Sequence, residues 1–406
     1  MGSTRLPPRR IALLKADFGV TGGFESVADW IEATLRRDGH EVERITVGVN
    51  DLAHRPFGLP VPDHVWHRAP EYFRYLASIE AFERFDARRY DVVVSTQPPS
   101  FATPHPRHLS VFFHHHRIFY DLEERYLAAG FSPDPELHRR AAARVRELDG
   151  PLLDAVRWFL AGSEPVRARL ARWNGIDRVG LFQAGPAATL AADDEAAAGP
   201  GDRNGAVLCV GRLEFPKRPE LFVQALHVLG GRKGVLVGDG GRMAWVRAVD
   251  ERLGRAGNDP AAVPAEELWC TTGWDAPPVG VPRPSPVEIA GRVDDARLAQ
   301  LYRDAPCVVA PAYEEDYGLT AVEAMRFGTP VIVCRDGGGL AGIVRHGFDG
   351  LVVDPDASSI AAAIHRICSD EGLRETLSRG AVATAATFTR RRAADQLRAG
   401  LVQALG

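Results

Sequence analysis

Lysine is nearly missing from this 406-residue chain: it occurs only at Lys15, Lys217 and Lys233, and arginine carries almost all the positive charge. A base-composition bias accounts for the imbalance. An ammonium on a flexible stem does a different job from a planar guanidinium, however, so the three survivors are worth following. Cysteine is scarce too. Its five positions (Cys209, Cys270, Cys307, Cys334, Cys368) are widely spaced and contain no CxxC. That excludes a zinc knuckle or a disulfide framework and points to free thiols in a reducing cytoplasm. No apolar run reaches the ~18 residues of a membrane-spanning helix. The opening apolar run in RRIALLKAD is short and broken by Lys15 and Asp17, unlike a signal peptide. A net charge of −4 leaves no basic excess to suggest nucleic acid as a partner. The glycine turn GVLVGDGG does not make the dinucleotide fingerprint GxGxxG.

What the chain does have is alternation. Its length is too great for one ordinary core, so two domains are expected. IALLK, EVERITVG, YDVVVST, LSVFFH, FLAGS and RVGLFQ read as strands of a first half, with amphipathic segments between them. Residues 136–160 read as helical, and 51–70 as irregular. AVLCVG, GVLVGDG, PVEIAG, CVVAPA, TPVIVC and GLVVDP supply the strands of a second half. Nearly continuous apolar strands alternating with helices mean parallel sheets covered on both faces. The expected architecture is therefore α/β, with a first domain over 1–185, an Ala/Gly/Asp/Pro-rich linker over 186–205 and a second domain over 206–388. The helix expected over 389–406 packs on the nearest sheet and is a candidate to return to the first domain. The Pro/Gly-rich stretch 254–286 reads as a flexible excursion.

Ligands of such sheets bind beyond the carboxyl ends of the strands, which makes a cleft between the domains the expected site. Three stretches there could carry chemistry. In GRLEFPKR (211–218), Arg212 and Lys217 follow a strand and precede a helix, which suits a diphosphate; a solvated turn is the plain alternative. In EEDYGLTAVEA (314–324), the amides of Gly318, Leu319 and Thr320 open a helix and form an anion site. Glu315 lies in the loop before that helix and Glu323 a turn or two inside it. Helix-dipole capping explains Glu315 but leaves Glu323 unexplained in an apolar setting. The third stretch is FFHHHRIFYD (112–121). Adjacent histidines on an extended chain alternate in direction, so one shared metal ion is not expected. His114 and His116 share a face.

Taken together, these motifs resemble the retaining GT-B glycosyltransferases of family GT4. The Glu-x7-Glu of EEDYGLTAVEA resembles that family's donor-site signature, and VGRLEFPKRPE its diphosphate loop. GVTGGFE is similar to its first glycine loop, and GTPVIVCRDGGGLAGIVRHGFDGLVV to its last glycine-rich segment. The resemblance implies two doubly wound Rossmann-like domains facing across a cleft, the first on the acceptor side and the second holding the donor. It implies a nucleotide diphosphate sugar as co-substrate (UDP, GDP or TDP), a hydroxyl acceptor, and no metal or other cofactor. Arg212 and Lys217 would neutralise the diphosphate, with Gly318 to Thr320 on a phosphate. Glu323 would hold the ribose, Glu315 the donor sugar, and Gly22 and Gly23 would let the first loop lie close to diphosphate or acceptor. His114 or His116 would stand beside donor sugar or acceptor.

Two departures stand out. Gly342 occupies the place of a usual glutamate, and QAGPA (183–187) replaces a usual Asn-Gly. Three rivals stay open: an inactive sugar-nucleotide-binding or scaffolding chain, a hydrolase using Glu315 and Glu323 as a carboxylate pair, and an epimerase. The basic helix HRRAAARVREL (138–148) reads as solvated, with peripheral contact to the inner face of a membrane as the alternative.

Overall fold

The computed structural model describes residues 6–19, 23–185, 203–271, 273–274 and 277–406. The chain divides into one unit of Met1–Ala184 with Arg390–Gly406, and a second of Gly185–Thr389.

In the first unit, six parallel strands lie in the order β2-β1-β3-β4-β5-β6. They are β1 (Arg10–Asp17), β2 (Glu41–Gly48), β3 (Val92–Ser95), β4 (His108–Phe112), β5 (Trp158–Ala161) and β6 (Val179–Leu181). Continuous apolar runs form them because both faces are covered: every residue of β3 and β4 is buried. The helix Pro135–Asp154 is capped by Asp134, whose carboxylate accepts from the Leu137 amide. It ends sooner than the expected 160, since WFLA joins the sheet as β5. A helix over Pro70–Glu83 follows the stretch that reads as irregular. Its apolar residues are interleaved with polar ones too densely for a clear 3.6-residue stripe. The terminal helix Arg390–Leu405 buries Leu397 and Leu401. Gly400 lies so close to β5 that an added Cβ would meet Leu160 Cδ1 at 2.7 Å.

The second unit holds β7 (Val207–Val210), β8 (Gly234–Val237), β9 (Val287–Gly291), β10 (Val308–Ala310), β11 (Val331–Cys334) and β12 (Gly350–Val353). These strands are parallel, in the order β12-β11-β10-β7-β8-β9. From β7 the chain winds outward through β8 to β9, then returns to β10 and winds the other way. The junction of β7 and β10 is thus a topological switch point, where loops diverge and leave a crevice at the carboxyl ends. Of the expected linker, Arg203 is described and buried; its guanidinium donates to Ala305 O, Phe327 O and Thr329 Oγ1.

One expectation is overturned here. Over 254–271 the Pro/Gly-rich stretch is folded, with short helices at Pro260–Ala262 and Ala265–Trp269 and with Leu268 and Trp269 buried. The cause is a buried arginine: Arg242 donates to the carbonyls of Leu268, Trp269 and Thr271 while paired with Glu220.

Candidate active site

The loops after β7, β10 and β11 meet at the switch point through their backbones. Tyr313 N donates to Pro216 O at 2.7 Å, joining the second loop to the first. Glu314 N donates to Asp336 O at 2.8 Å and Gly339 N to Glu315 O at 2.7 Å, joining the second to the third. Such close approach explains the glycine run. At Gly338, φ is +55°, and a Cβ would meet backbone atoms of Glu314 and Glu315 at 2.7 Å.

Charged side chains occupy the same place. Lys217 Nζ lies 2.5 Å from Glu315 Oε2, so two residues 98 apart in sequence form one ion pair. Arg212 is exposed at the end of β7. Gly318, at φ +95°, is the cap residue of the helix Leu319–Arg326 and supplies no side-chain hydrogen bond to its first amides. The first amides of a helix are donors that suit an anion. Thr320 Oγ1 approaches Val210 O at 3.5 Å, which seats this helix start at the end of β7. Glu323 follows in the next turn and accepts from the Tyr302 hydroxyl at 3.2 Å. Burial pushes its carboxyl up to about 7, against the opposing pull of that hydrogen bond.

The sequence reading missed Arg218, beside Lys217. Held at φ 47°, it starts the helix Pro219–Leu229 and sends its guanidinium inward. There it donates to Pro311 O at 2.7 Å, to Ala312 O at 3.3 Å, and in bidentate fashion to Asp336 at 2.6 and 2.9 Å. It therefore ties all three loops together. No sequence signal separates this buried arginine from its surface neighbours; only the contacts do.

In the first unit, Gly22 lies outside the described residues, and Gly23 is the exposed first residue of the helix Gly23–Arg37. Lys15, near the end of β1, is buried and pairs with Glu25 at 3.6 Å. The histidines diverge. His114 is partly exposed, its Nδ1 2.6 Å from His115 O. His115 is buried against Asn174 Oδ1, and burial lowers it to about 4. His116 stacks on Phe119 and tilts against Tyr75, with burial lowering it to about 3. Among the described residues, no three His, Cys, Asp or Glu are grouped as a metal site. The basic helix spends its apolar face inside the unit, burying Ala141, Ala142 and Val145. No helix among the described residues is long and apolar enough to cross a membrane.

Part of the second unit, with the loops after β10 and β11, matches a known family. Residues 285–383 match the family model described as glycosyl transferases group 1. The chain is 33% identical over 248 residues to the D-inositol 3-phosphate glycosyltransferase of Actinosynnema mirum, covering 55% of this chain and 54% of that protein. It is 46% identical over 93 residues to the protein of the same name from Acidothermus cellulolyticus, covering 23% and 20%. The matched regions thus span less than two thirds of those relatives' lengths. Among solved structures, sucrose-phosphate synthase from Thermosynechococcus elongatus superimposes with a TM-score of 0.64 at 20% identity, covering 96% of this chain and 98% of that one. Anabaena HepE in complex with UDP and glucose does so with a TM-score of 0.63 at 18% identity, covering 97% and 99%. At such identities the structures speak for the fold, which is GT-B. Residues 285–383 therefore match the glycosyl transferases group 1 family, within a chain of the GT-B fold.

Proposed function

We propose that the chain transfers a sugar from a nucleotide diphosphate sugar to a hydroxyl acceptor, with retention at the anomeric carbon, as a GT4-type enzyme. The observation that carries this reading is the Lys217–Glu315 pair on the loops that lead into the glycine-capped helix start at Gly318. A donor offers each partner something better suited. The diphosphate takes the ammonium of Lys217, with Arg212 and the amides of Gly318 to Thr320. The sugar hydroxyls take the carboxylate of Glu315, and the ribose hydroxyls that of Glu323. A retaining hydrolase would place its two carboxylates across the scissile bond and would leave this cationic loop without a use.

Retention follows from a front-face displacement. The glycosidic C–O bond to the diphosphate breaks ahead of attack. The acceptor oxygen bonds the anomeric carbon from the same face, and its proton passes to the departing phosphate oxygen. Cations and amides aimed at that oxygen stabilise the charge as it develops. No metal ion is required in this scheme. Of the two histidines, we assign the neighbouring position to His114, because His116 is spent on aromatic packing. The relatives' names supply an inositol phosphate as one acceptor class to try, and the HepE complex supplies UDP-glucose as a donor to try.

A thermal-shift panel of UDP-, GDP- and TDP-sugars tests the donor, because ligand binding to the native state raises Tm. At least one should stabilise the protein with EDTA present, and turnover of that donor should give a product of unchanged anomeric configuration. A panel with no shift would remove the reading, and an inverted product would remove retention.

A further inference from the structure

We infer that Trp269 is a positioning residue that sets the spacing of Lys217 and Glu315, so that the 254–271 segment serves as a brace for the diphosphate loop. This rests on the proposed function and deepens it. Trp269 is 5% exposed and has no open face for a ligand. Its indole Nε1 donates to Phe215 O at 2.6 Å, and its ring stacks on Phe215 with centroids 4.9 Å apart and planes 16° apart. The same ring lies 5.0 Å from that of Tyr313 and 5.3 Å from the Arg218 guanidinium.

These partners flank the ion pair on both sides. Phe215 is two residues before Lys217, inside the same tight turn, and Tyr313 is two residues before Glu315. The turn itself is held by the Lys217 amide donating to Glu214 O at 2.9 Å. One indole thus touches the bases of both loops, while its backbone is fixed from behind by Arg242. Arg242 is in turn paired with Glu220 in the first turn of the helix that follows the diphosphate loop. A small tilt of the indole would move Phe215 O and the Tyr313 ring together. Binding geometry at a site of this kind is sensitive to displacements well under 1 Å.

The test uses the full chain and UDP as the probe, with affinity read by calorimetry. Trp269→Phe keeps a ring and removes the N–H. It should weaken UDP about five- to tenfold through the displaced loop, and lower Tm by no more than a few degrees for the one lost internal hydrogen bond. Lys217→Ala should weaken UDP on its own. Adding Trp269→Phe to it should then cost little more, because the brace acts through Lys217. A merely structural indole would instead weaken both backgrounds equally, and that result overturns the inference. So does wild-type affinity in Trp269→Phe while Lys217→Ala is impaired. If Lys217→Ala is itself unimpaired, the diphosphate assignment falls and the brace with it. An independent reading on unmodified protein is amide hydrogen exchange. UDP should slow exchange over 265–271, which lies outside the loops assigned to the diphosphate; unchanged exchange there counts against the brace.

Discussion

The carboxyl edges of the two sheets are built in different proportions from charge and aromatic rings. In the second unit the edge is ionic: Lys217 meets Glu315, Arg218 meets Asp336, and backbone bonds link three loops. In the first unit the residues after β4 form an aromatic cluster, with His116 on Phe119, His115 near Tyr120, and burial holding both imidazoles well below their ordinary range. Parallel sheets of the same strand number thus present different chemistry. A laced set of charges on short loops suits an anion that must be held and then released as its charge grows. Aromatic rings beside the internally paired Arg117 and Asp121 suit a partner that is bound by shape and hydroxyl groups. The difference tells which edge should respond to changes in charge.

The sharpest way to break this comparison is to remove the charge that organises the ionic edge. Arg218→Ala deletes bonds to the two other loops and leaves Asp336 without its bidentate partner. Breaking a buried pair in this way costs about 3–5 kcal/mol, and the partial exposure of Asp336 places the effect near the lower end. Chemical denaturation measures it. A loss below about 1 kcal/mol would mean that backbone pairing alone holds the loops, and that the edge is not ionic in any useful sense.

Glycine tests the backbone half of the same edge. Gly338→Ala forces a Cβ to within 2.7 Å of Glu314 and Glu315 backbone atoms at φ +55°, so about 2–3 kcal/mol of stability should be lost through strain and loop shift. Gly342, four residues on, faces open space within 4 Å. Gly342→Ala should be neutral or up to ~0.5–1 kcal/mol stabilising, as alanine favours a helix. Equal effects at the two positions would show that the loops are free to separate.

Lys217→Ala sharpens the functional side. Removing one charge-assisted contact should weaken a sugar nucleotide by about 10- to 100-fold, from roughly 1.5–3 kcal/mol, with a smaller loss of stability because Lys217 keeps 30% of its side chain exposed. Calorimetry with UDP-glucose reads it, and affinity within twofold of wild type would take the diphosphate away from this loop.

How far the sequence carried these ideas differs between the two edges. The strands of both sheets were legible because buried parallel strands read as unbroken apolar runs, such as VVVS and VIVC. The charged loops of the second edge were legible because Lys217, Glu315 and Gly318 stand out in short segments of distinctive composition. Arg218 was not, because a buried arginine and an exposed one look alike until the carbonyls around it are known. Trp269 was hidden for a related reason: it lies in a stretch whose prolines and glycines suggest mobility, and only the carbonyl contacts of Arg242 reveal that the stretch is held. The helix Pro70–Glu83 was obscured by its mixed apolar pattern.

The finest comparison sets one buried carboxyl in each unit against the other. Burial pushes both Asp149 and Glu323 up to about 7, from ordinary values near 3.8 and 4.5. Asp149 accepts from Tyr120 at 2.6 Å and from Tyr75 at 2.9 Å inside the first unit's core. Glu323 keeps partial exposure beside the helix start that faces the proposed donor. For either group, the unfolded chain releases its proton near the ordinary value while the native chain holds it until about 7. Stability therefore falls as pH rises through that window and levels off above it. Both Asp149→Asn and Glu323→Gln should flatten this fall. Binding separates them. A carboxylate accepts two ribose hydroxyls better than a neutral carboxyl does, so wild-type affinity for UDP-glucose, whose pyrophosphate diester does not titrate here, should rise by up to about tenfold between pH 6 and 8. Asp149→Asn should keep that rise and Glu323→Gln should abolish it. A rise that survives Glu323→Gln would move the ribose contact to another residue and leave Glu323 as no more than a buried carboxyl like its counterpart.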